Sequence, residues 1–168
     1  VNLLINPLSS VMMAKGRFLS PDSRCKAFDE SGNGYVRSEG VGVVYLKPLD
    51  KAIEDGNPIY ALIKGTSWNS DGYTADGFTV PDVSSQANLL KRAYSQAGVN
   101  PDHIQYIEAH GTGTVVGDPI ETEAFGRLLA DRENEKPVTI GSAKTHIGHL
   151  EGAAGCLLYT SPSPRDTA

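Results

Sequence analysis

Ile104-Gln105-Tyr106-Ile107-Glu108-Ala109-His110-Gly111-Thr112-Gly113-Thr114, continuing into Val115-Val116-Gly117-Asp118-Pro119-Ile120-Glu121, is the stretch on which the fold turns. Ile104 to Ala109 reads as a short buried strand. His110 stands at its end, and the Gly/Thr run that follows is a loop in which the backbone can approach a ligand closely. Asp118-Pro119-Ile120-Glu121 then reads as a helix start, with Asp at the cap, Pro at the first position and Glu placed to bond back. Ile120, Ala124, Phe125, Leu128 and Leu129 supply that helix with a buried face. Strand, Gly-rich loop and helix in this order are the repeating unit of α/β proteins.

The flanks carry the same alternation. Val138 to Ile140 reads as a second strand beyond the helix. Upstream, Ser85 to Ala97 is the clearest helix, with Leu89, Leu90, Ala93, Tyr94 and Ala97 on one face and Gly98 as its stop. Tyr35 to Leu46 alternates and then runs apolar, as a strand buried on both faces does. Pro48 to Asp55 reads as a short helix closed by Gly56, Ile59 to Ile63 as another strand, and Ser10 to Lys15 as a short helix. Asn69 to Pro81 is a loop rich in Gly, Asp and Thr, suited to the wall of a site. The fold class expected is α/β.

Composition narrows the function. In 168 residues, 15 Lys and Arg face 20 Asp and Glu, a net charge of -5 that argues against a nucleic-acid binder. Hydrophobic residues at 39% exclude disorder as the main state. The longest apolar run, Val41 to Leu46, falls far short of the roughly 20 residues a bilayer helix needs. Two cysteines, Cys25 and Cys156, are too few for a disulfide framework, and the simplest compartment is the reducing cytoplasm.

Three histidines have suggestive surroundings. His110 opens the Gly/Thr loop, and His146 and His149 lie in Lys144-Thr145-His146-Ile147-Gly148-His149. Sites in α/β proteins sit where strands end in Gly-rich loops. Each residue has a plainer reading: His110 as a packed histidine, Lys144 as a solvated lysine, His103 as a surface residue. Gly111, Gly113 and Gly117 miss the dinucleotide spacing by one position, and no Walker lysine follows. His146 with His149 lacks a third metal ligand, so no metal is expected. No G-x-S-x-G elbow is present. Cys25 has basic neighbours, Arg24 and Lys26, but is read as structural.

Taken together, Glu108 to Thr114, Gly117 to Glu121 and Lys144-Thr145-His146-Ile147-Gly148-His149-Leu150-Glu151-Gly152-Ala153-Ala154-Gly155 strongly resemble the β-ketoacyl synthase family. Lys26-Ala27-Phe28-Asp29 and Gly34-Tyr35-Val36-Arg37-Ser38-Glu39-Gly40 match as well. The likeness covers residues 1–155 and is to the ketosynthase domains of type I polyketide synthases and animal-type fatty acid synthases. It implies a thiolase-like fold, layered αβαβα, with residues 1–57 as the end of one half and residues 58–155 as the start of the other. It implies decarboxylative Claisen condensation between a cysteine-bound acyl chain and a malonyl-type extender on acyl carrier protein.

By motif, the resemblance makes His110 and His149 catalytic, as N–H donors to an enolate. Lys144 supports the pair and, as a nearby cation, favours neutral imidazoles. Thr112 and Thr114 bond the phosphopantetheine arm, with no cofactor bound directly. Asp118 and Glu121 are read as scaffold, and His146 stands where many members have Asn. Acyl carrier protein, neighbouring synthase domains and a second copy of the parent are the implied partners. The family's nucleophile cysteine, in a Ser-rich motif upstream of Val1, has no counterpart in this chain, and Cys25 belongs to a different motif. The chain alone is therefore expected to be inactive, to fold poorly and to expose core surface. A chain-length-factor-like partner and a non-catalytic thiolase-fold module are the alternatives, and the intact His110, Lys144 and His149 set argues against both. A thiolase would carry a cysteine in its second motif.

Both ends read as cuts. Val1 to Pro7 opens inside an apolar strand pattern. Cys156 to Asp166 coincides with the translation of a transposon-end sequencing adapter. Residues 156–168 are therefore expected to be an adapter-derived tail, with the native sequence departing after Gly155.

Overall fold

The computed structural model describes residues 1–74, 77, 79–134 and 136–160. Its centre is the unit read from the sequence. Strand β1 (Tyr106–Glu108) and strand β2 (Thr139–Gly141) pair in parallel, with Tyr106 opposite Thr139 and Glu108 opposite Gly141. Helix α4 (Gly117–Leu129) connects them, as a parallel pair requires. Ala124, Phe125 and Leu128 of α4 are buried, and its expected flank residues Ile120 and Leu129 are half-buried. Helix α3 (Val83–Ala97) packs against α4.

Local chemistry sets the helix ends. Helix α3 starts before Ser85 because the Asp82 carboxylate accepts the Ser85 N–H at 2.5 Å, and it stops at Gly98, whose φ is 61°. Helix α1 (Pro7–Lys15) starts earlier than Ser10 because Asn6 Oδ1 accepts the Leu8 N–H and Pro7 tolerates the first turn. Helix α2 (Leu49–Glu54) follows Pro48. Helix α5 (Lys144–Ile147), a 3₁₀ turn (Glu151–Ala153) and helix α6 (Ala154–Thr160) close the described chain. Cys156 to Thr160 continue α6. The rest of the expected adapter tail, and residues 75, 76 and 78 of the Asn69–Pro81 loop, lie outside the described residues.

Two expected strands do not form. Tyr35 to Leu46 forms no ladder, and its backbone pairs through isolated bridges, Leu19 with Tyr35, Arg37 with His149 and Asn2 with Gly40. Ile59 to Ile63 runs without a ladder. The apolar residues that suggested strands are bare: Val43 is 80% exposed, Tyr45 88% and Tyr60 97%. Among the described residues no strand lies alongside them, and a strand needs a partner for its N–H and C=O groups. The segment after Ile63 instead lies on α3. A Cβ on Gly65 would meet Ala97 Cβ at 2.8 Å, and Arg92 Nε donates to Ser67 Oγ.

Gly34 to Gly40 threads through the molecule. The Gly34 N–H bonds Gly113 O, Tyr35 pairs with the backbone of Phe18 and Ser20, and Val36 and Ser38 bond the backbone of His149. The Gly/Thr loop meets the next segment equally closely. Gly113 has φ +76°, and a Cβ there would sit 2.7 Å from Lys26 N. Gly113→Ala is expected to cost about 1–3 kcal/mol through the left-handed backbone. Gly126→Ala, in an open position on α4, should stabilise by about 0.5–1 kcal/mol. Urea unfolding midpoints moving in opposite directions are the check, and equal effects would refute it.

Candidate active site

The imidazoles of His110 and His149 adjoin. Their ring centroids are 5.3 Å apart and the planes meet edge to face at 84°. His110 follows β1, and its backbone is fixed by Glu121, whose carboxylate accepts the N–H groups of His110 at 2.6 Å and Gly111 at 2.9 Å. Glu121 therefore does not bond back to its own helix as the sequence suggested. His149 follows α5 and is held by the threaded segment: its N–H donates to Val36 O at 2.7 Å, and its carbonyl accepts the Ser38 N–H at 3.1 Å.

Lys144 begins α5. Glu108 Oε1 accepts the Ala143 N–H at 2.7 Å at the start of this helix, and the other oxygen of Glu108 accepts from the Tyr106 hydroxyl. Burial lowers the Lys144 pKa against the field of Glu108, Glu121, Cys25 and Asp118. The ammonium in turn acts on the histidines. His110 is an exposed residue whose ring sits among neighbouring groups, and the desolvation there, then Lys144, lower its pKa, opposed by Glu121 and Asp118. Burial, Lys144 and His110 push His149 down to about 4. Both rings are thus biased toward the neutral form.

The tautomer of His149 follows from one hydrogen bond. The Glu151 N–H donates to His149 Nδ1 at 2.9 Å, so Nδ1 carries a lone pair and the proton sits on Nε2. His149 is thereby a neutral N–H donor.

The lowered value has a consequence for stability. Between pH 6.5 and about 4 the unfolded chain protonates His149 and the folded chain does not. The stabilising contribution is present above pH 6.5 and is lost as the pH falls toward 4. Urea unfolding midpoints should therefore drop from pH 7 to pH 5, and less steeply in H149Q. Equal slopes would refute the shift.

The remaining expected residues divide. Thr112 is buried, with its Oγ1 3.2 Å from Thr114 Oγ1, and Thr114 Oγ1 also accepts the Gly117 N–H. An open hollow of about 780 Å³ has Thr114 in its wall with Phe28, Glu30, Pro119 and Thr122. Neither histidine lines it. A smaller cleft of about 280 Å³ is lined by Glu108, His110, Lys144, Ile147, Leu150 and Leu158. The smaller cleft is the one adjoining the titratable cluster. His146 is exposed.

Asp118 does not cap α4, which starts one residue earlier, after Val116. Its buried carboxylate instead accepts the N–H groups of Phe28 at 2.8 Å, Gly113 at 3.1 Å and Thr114 at 3.4 Å. Cys25 is also buried. Its thiol donates to Thr112 O at 3.1 Å, and burial with the Asp118 charge raises its pKa, the opposite of an activated thiolate. Sequence reading assigned no role to Arg37 and Glu151. Arg37 Nε and Nη2 clasp the Glu151 carboxylate at 2.6 and 2.8 Å. Their presence in the motifs Gly34 to Gly40 and His149 to Gly155 was the available signal.

A parallel β–α–β unit whose first strand leads to His110, with His149 adjoining it and the half-buried Lys144 at the start of α5, places the chain among α/β proteins. The chain belongs to the β-ketoacyl synthase family: residues 1–52 match its N-terminal domain and residues 60–161 its C-terminal domain. It is 47% identical over 156 residues to polyketide synthase PksL of Bacillus subtilis, covering 92% of this chain and 3% of that protein. It is also 45% identical over 157 residues to highly reducing polyketide synthase 40 of Fusarium pseudograminearum, covering 92% of this chain and 6% of that protein.

Among solved structures, the ketosynthase from module 6 of the bacillaene synthase of Bacillus subtilis superposes with a TM-score of 0.91 at 42% identity, over 95% of this chain and 29% of that one. The oxazolomycin ketosynthase domain OzmH KS7 of Streptomyces albus gives 0.89 at 41%, over 95% and 28%. The fold is thus a part of the thiolase-like ketosynthase architecture. The chain spans less than a tenth of these curated relatives and less than a third of the solved ketosynthases it matches.

Proposed function

We propose that this chain is a section of a ketosynthase that extends polyketide chains by decarboxylative condensation. The observation that carries the reading is the His110–His149 pair with His149 fixed as a neutral Nε2–H donor. In the proposed reaction the C–C bond to the carboxylate of a malonyl-type thioester breaks and carbon dioxide leaves. The electron pair moves into the thioester, and negative charge gathers on its oxygen. His110 and His149 donate N–H bonds to that oxygen. Desolvation of the rings, and then the Lys144 charge, favour the neutral form of both. The enolate carbon then attacks an acyl thioester on a cysteine, and the thiolate departs. Neither Cys25 nor Cys156 is assigned the nucleophile's role, which falls to another part of the ketosynthase.

The rest of the reading follows the family. Thr112 and Thr114 receive the phosphopantetheine arm of acyl carrier protein, and no other cofactor is used. The working enzyme is a homodimer within a multidomain synthase in the cytoplasm. Residues 1–57 belong to one half of the domain, residues 58–155 to the other, and residues 156–168 are the adapter-derived tail. Among the described residues no helix is long and apolar enough to cross a membrane. The test is carbon dioxide release from a malonyl thioester on carrier protein by the complete ketosynthase. Its coupling to product formation is the expected result. Release that is indifferent to substitution of both histidines would overturn the reading.

A further inference from the structure

We propose that Arg37 is a positioning residue for His149, clasping the Glu151 carboxylate so that the Glu151 amide stays on His149 Nδ1. The proposal rests on the reading of His149 as the Nε2–H donor. That tautomer depends on a bond from the backbone two residues ahead. Leu150, at φ −83° and ψ 15°, turns the chain so that the Glu151 N–H points back at the ring, and Glu151 leaves this turn at φ +45°, a left-handed conformation that a residue with a Cβ avoids. Something must hold it there.

The holder is a fork. Arg37 Nε donates to Glu151 Oε1 at 2.6 Å and Nη2 to Oε2 at 2.8 Å, while Nη1 donates to Ser10 Oγ at 2.7 Å. All three guanidinium nitrogens are engaged, so the plane of the fork is fixed. The Arg37 side chain is 9% exposed, which spares the pair much of the solvent screening that weakens surface ion pairs. The Tyr35 hydroxyl lies 3.4 Å from Glu151 Oε1, and its ring lies 5.3 Å from the His149 ring. Arg37 also sits between Val36 and Ser38, whose backbone holds the backbone of His149. One short segment therefore fixes the main chain of His149 directly and its Nδ1 partner through Glu151. Lysine offers a point charge and no fork, so it cannot fix the carboxylate plane in the same way.

The test uses R37M, R37K and H149A in the complete ketosynthase. It measures kcat and KM for malonyl-thioester decarboxylation, and the ¹⁵N imidazole shifts of His149. A misplaced donor should lower kcat by about 10²-fold in R37M. KM should change by less than about twofold, because ground-state binding is untouched. The ¹⁵N shifts should move from the Nε2–H pattern toward tautomer averaging. R37K should recover only a minor part of kcat. A simple tether between segments would lower the urea midpoint alone, and unchanged kcat and shifts in R37M would overturn the proposal. If R37M does not fold, the same two readouts on R37K decide. If H149A keeps full activity while the shifts still move in R37M, the catalytic reading fails and the clamp stands.

Discussion

Replacing His149 by alanine in the complete ketosynthase is expected to lower decarboxylation of a malonyl thioester by roughly 10²–10³-fold, the usual cost of removing one preorganised donor from a developing oxyanion. The size follows from how completely the ring is prepared. Its proton is on Nε2 because Nδ1 accepts the Glu151 N–H. Its charge is suppressed to a pKa of about 4 by burial, Lys144 and His110. No reorganisation or deprotonation is needed before it can donate at neutral pH. H149A removes all of this, and His110 alone remains. Acyl loading onto the nucleophile, followed by intact-protein mass, should change little, because that step makes no enolate. A decarboxylation rate within about twofold of the parent would remove His149 from the reaction. Lys144→Met should act in a different way. With the ammonium gone, the pKa values of both histidines rise, so the acid limb of the rate profile moves to higher pH.

The central unit was legible because its signals are local. Ile104 to Ala109 is apolar enough to be a strand, and Gly98 can only stop a helix where φ is positive. Residues from His110 to Glu121 and from Lys144 to Gly155 form family motifs, which the domain matches bear out. What could not be read depends on contacts far along the chain. Val41, Val43 and Tyr45 have the character of a buried strand, but a ladder needs a neighbour, and none lies beside them among the described residues. Asp118 looked like a cap because an Asp before Pro is one by local rule. Its carboxylate is used instead by Phe28, which is 90 residues distant in sequence and sits at φ +59°. The Arg37–Glu151 pair spans 114 residues. No spacing rule reaches that far, and the motifs showed only that these residues were present. The tautomer of His149 is likewise a product of the turn at Glu151, which the sequence does not announce.

Asp118→Ala is the substitution expected to cost the most stability, about 3–5 kcal/mol, as a fall in the urea unfolding midpoint of the complete domain. Asp118 is 6% exposed as a residue, and its carboxylate is shared by the N–H groups of Phe28, Gly113 and Thr114. Alanine leaves these donors without their acceptor. Phe28 and Gly113 both sit at positive φ, so the lost bonds also release backbone that is otherwise disfavoured. Asp118→Asn separates charge from shape. It keeps the volume and one acceptor oxygen, but turns an NH₂ group toward donors that need an acceptor, so most of the loss should remain. The negative charge near the start of α4 also favours the helix dipole, yet only by about 0.3–1 kcal/mol, too little to account for the whole effect. An Asp118→Ala midpoint near that of the parent would mean that the Gly/Thr loop keeps its shape without the carboxylate. A full loss in alanine with near-complete recovery in asparagine would assign the effect to volume. The loop also carries Thr112 and Thr114, so any Asp118 variant that folds should show a raised KM for the carrier-bound extender before kcat falls.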